Sequence, residues 1–93
     1  MAKKEYEINL YQTDNFDFYH NASTREGISL SHDGNQSTIC FLKGREAEEF
    51  REIVEPLSNI TKINLSSADY KKIRKESKNR NIERFRSLTD KLG

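Results

Sequence analysis

Residues 27–43 read GISLSHDGNQSTICFLK, and this stretch commits the N-terminal half of the chain to an antiparallel sheet. Ile28 and Leu30 alternate with Ser29 and Ser31, the period-two pattern of a half-buried strand. His32-Asp33-Gly34-Asn35 then carries an Asp-Gly pair. Both of its residues tolerate positive φ, which makes it the strongest local hairpin signal in the sequence. A return strand follows from Ser37 to Lys43. Its Ile39-Cys40-Phe41-Leu42 core is apolar on both faces, the pattern expected of a central strand.

Toward the N-terminus the alternation continues. Tyr6, Ile8 and Leu10 interleave with Glu5, Glu7, Asn9 and Tyr11. Asp14-Asn15 offers a turn, and Phe16, Phe18 and His20 then interleave with Asp17 and Tyr19. A polar loop from Asn21 to Glu26 is closed by Gly27. On this reading one face is core, while Glu5, Glu7, Asn9, Tyr11, Asp17, Tyr19, Ser29 and Ser31 form an open face.

Toward the C-terminus the period changes. Gly44 breaks the strand and serves as an N-cap, after which Ala47, Phe50, Val54 and Leu57 recur at helical spacing with Ile53 beside them. Glu46, Glu48 and Glu49 lie in the first turn, where the helix dipole favours acids. Pro56 ends or kinks this helix. Ile60 to Leu65 reads either as a short extended segment or as a loop. Ser66 is the expected N-cap of the next helix, with Asp69 completing a capping-box pattern and Leu65 and Tyr70 at the positions of a hydrophobic staple.

The chain therefore reads as one α+β domain over 1–93. A four-stranded antiparallel β-sheet fills 1–43, an acidic amphipathic helix 45–57, and a basic C-terminal helix or helix pair 66–92. A domain of this length buries only roughly 60% of its unfolded surface, so its margin of stability is thin and a homodimer is expected.

The second helix contains a phase break. Tyr70 and Ile73 make one stripe, and Ile82, Phe85, Leu88 and Leu92 make another. Nine residues at roughly 100° each separate Ile73 from Ile82, which is half a turn out of phase. Two readings stand. The helix bends near 77–81 and both stripes close one core, or the later stripe projects and meets a dimer mate or partner protein.

Charge is divided unevenly. Residues 1–66 hold 7 Lys+Arg against 11 Asp+Glu, while residues 67–93 hold 9 against 4, and the halves cancel to +1. Such asymmetry points to an anionic partner, with nucleic acid, and DNA in particular, favoured. The candidate contacts are Lys71, Lys72, Arg74, Lys75, Lys78, Arg80, Arg84 and Arg86, with Asn79 and Asn81 read either as base-edge contacts or as helix breakers. Lys71/Lys75, Arg74/Lys78 and Arg80/Arg84 are repelling i,i+4 pairs at about 0.2–0.5 kcal/mol each. Glu76/Arg80 and Arg86/Asp90 offset part of this repulsion.

Two resemblances are limited. Lys75 to Arg86, with Asn79 flanked by bases, is similar to a basic-leucine-zipper region, but only Leu88 and Leu92 follow, too short for a zipper. The four-strands-then-helix order is similar to that of single-stranded nucleic-acid binders of the PUR type, which bind on the open sheet face. That face would here hold acids where a nucleic-acid groove needs bases, so no family is assigned.

No enzyme is expected, and no cofactor or metal. His20, His32 and Cys40 lie on neighbouring expected strands but share no metal-ligand spacing, and glycines are too sparse for a phosphate loop. The start, Met1-Ala2-Lys3-Lys4-Glu5-Tyr6-Glu7, lacks the apolar run of a signal peptide, and no window is apolar enough to span a membrane. Cys40 is the sole cysteine, so the expected compartment is the cytoplasm. The alternative to nucleic-acid binding is a protein-interaction module acting through the acidic helix and sheet face or the Ile82–Leu92 stripe.

Overall fold

A computed structural model describes residues 5–90. The chain forms strands β1 (Glu5–Gln12), β2 (Phe16–Asn21), β3 (Glu26–Asp33) and β4 (Gln36–Lys43), then helix α1 (Arg45–Val54) and a single 3-10 turn over Glu55–Leu57. Strand β5 (Asn59–Ser66) and helices α2 (Ser67–Asn79) and α3 (Ile82–Asp90) follow. The sheet has the order β4-β3-β2-β1-β5, every neighbouring pair antiparallel.

The α+β class holds, with one more strand than the four expected. The open segment after Pro56 becomes β5 and pairs with β1 along its whole length, from Glu5↔Ser66 to Gln12↔Asn59. Its first four residues are exposed, so its sequence lacks the regular alternation that marks a half-buried strand.

Helices cover both faces of the sheet. Ile8, Tyr19, Ile28, Leu30, Ile39 and Leu65 meet Tyr70 and Ile73 of α2 and Phe85 of α3 on one face. Tyr11 and Phe18 meet Val54 of α1 on the other, with Phe16, Leu42 and Phe50 packed against them. The expected open face is thus corrected. Tyr11 and Tyr19 are both buried, on opposite faces, and Phe16 and Phe18 point away from Ile8 and Leu10. The registers Leu10↔Tyr19 and Tyr19↔Ile28 fix this assignment, because facing residues of an antiparallel pair share a face. β2 is the middle strand, and from Phe18 to Asn21 both of its sides are buried.

β4, read as central, lies at an edge. It looks central because helices flank it twice: Ile39 and Phe41 join the α2/α3 core and Leu42 joins the α1 core, while Cys40 is exposed. The β3–β4 loop falls one residue later than the Asp-Gly pair. Asp33 pairs with Gln36, so Gly34 and Asn35 make the turn, and Gly34 supplies the positive φ of 62° at its first position.

The helix ends follow local rules. Ser66 Oγ accepts from the Asp69 N–H at 3.2 Å, and the staple residues Leu65 and Tyr70 are both in the core. α2 stops where Arg80 adopts a left-handed conformation, φ 58° and ψ 30°. The Asn81 N–H then reaches back to the Glu76 carbonyl at 3.3 Å, and Asn81 Oδ1 accepts from the Arg84 N–H at 3.2 Å. The phase break is therefore a turn between two helices. It folds α3 onto the core already closed by α2, where Phe85 is fully buried and meets Tyr19 edge-on at 5.8 Å. Ile82 and Leu88 pack beside it, half-buried. This stripe is consequently used within the chain and is not a free dimer seam. Leu92 lies outside the described residues.

Candidate nucleic-acid interface

α2 buries Tyr70, Ile73, Glu76 and Ser77. The opposite side carries Lys71, Lys72, Lys75, Lys78 and Asn79, all exposed. Lys71 and Lys78 are seven residues apart, roughly 10 Å along the helix axis. Among the described residues, no acidic side chain forms an ion pair with Lys71, Lys72, Lys75, Lys78 or Arg80.

The fold assigns the three flanking arginines differently. Arg74 is half-buried, and its Nε donates to Glu26 Oε2 at 2.9 Å. The other oxygen of Glu26 accepts from the Tyr70 hydroxyl at 2.7 Å, which ties α2 to β3. Arg84 Nε lies 3.1 Å from Oε1 of the buried Glu76, joining α3 to α2. Arg86 Nη2 donates to His32 Nδ1 at 2.7 Å and lies 3.3 Å from Ser37 Oγ, joining α3 to the β3–β4 hairpin. The sequence pairing Glu76/Arg80 is replaced by Glu76–Arg84, because the turn at Arg80 swings α3 back beside α2. Arg74, Arg84 and Arg86 therefore hold the fold, whereas the four lysines and Arg80 face outward.

Lys78 has a second contact: its Nζ sits 4.9 Å from the centre of the Phe41 ring, with the Arg74 guanidinium 5.6 Å from the same centre. Asn81 is a cap, so its side-chain oxygen is engaged. Asn79 is exposed at the last position of α2.

The sequence did not signal a polar network on the other face. His20, 2% exposed, approaches Glu48 Oε1 with its Nε2 at 3.0 Å. Arg51 binds Glu48 Oε2 at 3.1 Å and Glu55 Oε2 at 2.8 Å. Burial pushes the Glu48 carboxyl up, but hydrogen bonds from Arg51 and His20 outweigh it and hold the group below its ordinary range. In the sequence Glu48 carries only the signal of a first-turn acid. Its partner on β2 is 28 residues away, and no short-range pattern reports such a pair. The network borders a groove lined by Asn9 and Tyr11. It anchors α1 to the sheet.

His20 turns toward α1 and His32 toward α3, so the two rings lie on opposite faces of the sheet. Among the described residues no group of three His, Cys, Asp or Glu side chains is placed to hold a metal ion, and no helix is long and apolar enough to cross a membrane.

The fold and this site define a small α+β protein whose sheet is covered on both faces and whose second helix presents lysines. No family model, no curated protein and no solved structure matches the chain.

Proposed function

We propose that this chain is a small non-enzymatic nucleic-acid-binding protein, with DNA as the favoured ligand, that anchors phosphates on the lysine face of α2. One observation carries the reading. Arg74 and Arg84 are paired with Glu26 and Glu76, and Arg86 is held by His32 and Ser37, whereas Lys71, Lys72, Lys75 and Lys78 share a helix and lack an acidic partner among the described residues. Their mutual repulsion costs about 0.2–0.5 kcal/mol per i,i+4 pair, and phosphates relieve it. Binding would release counterions and fix the protein on the backbone, with no cofactor or metal taking part.

The test is the triple charge reversal Lys71→Glu, Lys75→Glu, Lys78→Glu, read by fluorescence anisotropy with labelled DNA and by thermal melting. Loss of binding with an unchanged melt is the expected outcome. Unaltered binding removes the lysine face from the account.

A second reading, a protein contact, is favoured by a different surface from the Ile82–Leu92 stripe. Ile53, Leu57 and Ile60 are 65%, 72% and 48% exposed along the α1–β5 connection, beside an edge strand whose outer side pairs with nothing in the described chain. A second copy of the chain, giving a homodimer, is the first partner to test. Light scattering at micromolar concentration would then give a dimer mass for the wild type and a monomer mass for Leu57→Glu.

A further inference from the structure

We infer that the ligand of the α2 lysine face is double-stranded DNA held by its phosphates, and not an unpaired strand. This rests on the reading that the lysine face binds nucleic acid, and it adds which form of nucleic acid fits.

Proteins that hold unpaired strands combine a basic groove with aromatic side chains on which bases stack. This chain has 4 Tyr, 5 Phe and no Trp, all of them within the described residues. Not one is exposed. Five are buried, and Tyr6, Phe16, Phe41 and Phe50 are half-buried against the two cores. Phe41 is the aromatic nearest the lysines, yet its ring is already occupied by Lys78 Nζ at 4.9 Å and the Arg74 guanidinium at 5.6 Å. A base has no free ring on which to stack.

The arrangement of charge favours a duplex. Ser66 caps the start of α2 and the left-handed Arg80 closes its end, so the lysines ride on a helix fixed at both ends. Lys71 and Lys78 stand roughly 10 Å apart along it, close to the ~12 Å width of the major groove. Phosphates on both sides of that groove are therefore within reach of flexible lysine stems, whereas a single strand offers one row. The outward groups of this face are the four lysines, Asn79 and Arg80, a set dominated by phosphate-binding cations, so recognition rests on the backbone and sequence preference is weak.

The experiment displaces a labelled mixed-sequence duplex with unlabelled competitors at low salt: duplexes of differing sequence, and poly(dT) of equal nucleotide number. Duplexes should compete about tenfold better than poly(dT), because no stacking offsets the lower charge density of a single strand. Their sequence should matter little. Phe41→Leu, which keeps an apolar contact at that position, should leave duplex affinity unchanged. Competition by poly(dT) equal to or better than duplex, or loss of binding on Phe41→Leu with the fold intact, overturns the inference. If the triple charge-reversal protein also loses poly(dT), the lysine-face reading still stands. If the wild type binds neither probe, both the inference and the proposed function fall.

Discussion

Gly27 shows what one residue contributes to this fold. A Cβ there would lie 2.5 Å from two atoms of the fully buried Phe18 ring, and that ring fills the space between β2 and α1. Gly27→Ala is therefore expected to destabilise the protein by about 1–3 kcal/mol, the usual range for overpacking a core. Urea denaturation measures it, and an unchanged midpoint would mean that Phe18 has room to move. From sequence, Gly27 looks like the end of a loop, because its real neighbour is nine residues away on another strand. Ser66 is the opposite case. Its partner, the Asp69 N–H, lies three residues along the chain, so the cap was legible. Asn81 was read as a base contact or a helix breaker, and it caps the next helix.

Among the elements, the strands nearest the Asp-Gly signal are readable, whereas the sequence leaves β5 open between an extended segment and a loop, because an exposed edge strand need not alternate. β2 was assigned its faces wrongly for a related reason. Its row of Asp17, Tyr19 and Asn21 reads as polar and solvent-facing, yet Tyr19 and Asn21 are buried. The pairing of α2 with α3 explains why basic residues of the same segment divide into two groups. Arg84→Ala strands the carboxylate of Glu76, which is 5% exposed, and should lower stability by about 1–3 kcal/mol. Lys75→Ala, on the outer side of α2, should shift stability by no more than about 0.5 kcal/mol while weakening DNA binding. Chemical denaturation of both variants checks this division, and equal losses would contradict it. Sequence spacing identified all these cations but not their partners, since Glu26 lies 48 residues from Arg74 and β3 must fold before the two meet.

At the scale of the whole molecule, two packed faces leave the aromatic residues inside. Burial pushes the Tyr19 hydroxyl up to about 12, and hydrogen bonding to Thr89 only partly opposes it. Burial does the same to Tyr70, also to about 12, with Thr24 opposing and Glu26 adding to the rise. Each folded value lies above the ordinary value of 10.0, so the unfolded chain releases these protons first. Stability is then complete below pH 10 and falls as pH rises through about 12, on the order of 3 kcal/mol for each tyrosine. Denaturant unfolding across that window should show the fall, and Tyr19→Phe should make it shallower. A flat profile would place these hydroxyls in water. The charge split between the halves of the chain was visible in the sequence. The fold uses acids from both halves, Glu26 and Glu76, to neutralise arginines, and leaves the lysines of α2 as the outward-facing remainder.

The most direct test of that remainder is the salt dependence of duplex DNA binding by the intact protein. Four phosphate contacts should give log Kobs against log salt a slope of about −3 to −4, and the triple lysine reversal should abolish measurable binding. A slope near zero, or the wild-type slope retained in the triple variant, would contradict phosphate anchoring by α2.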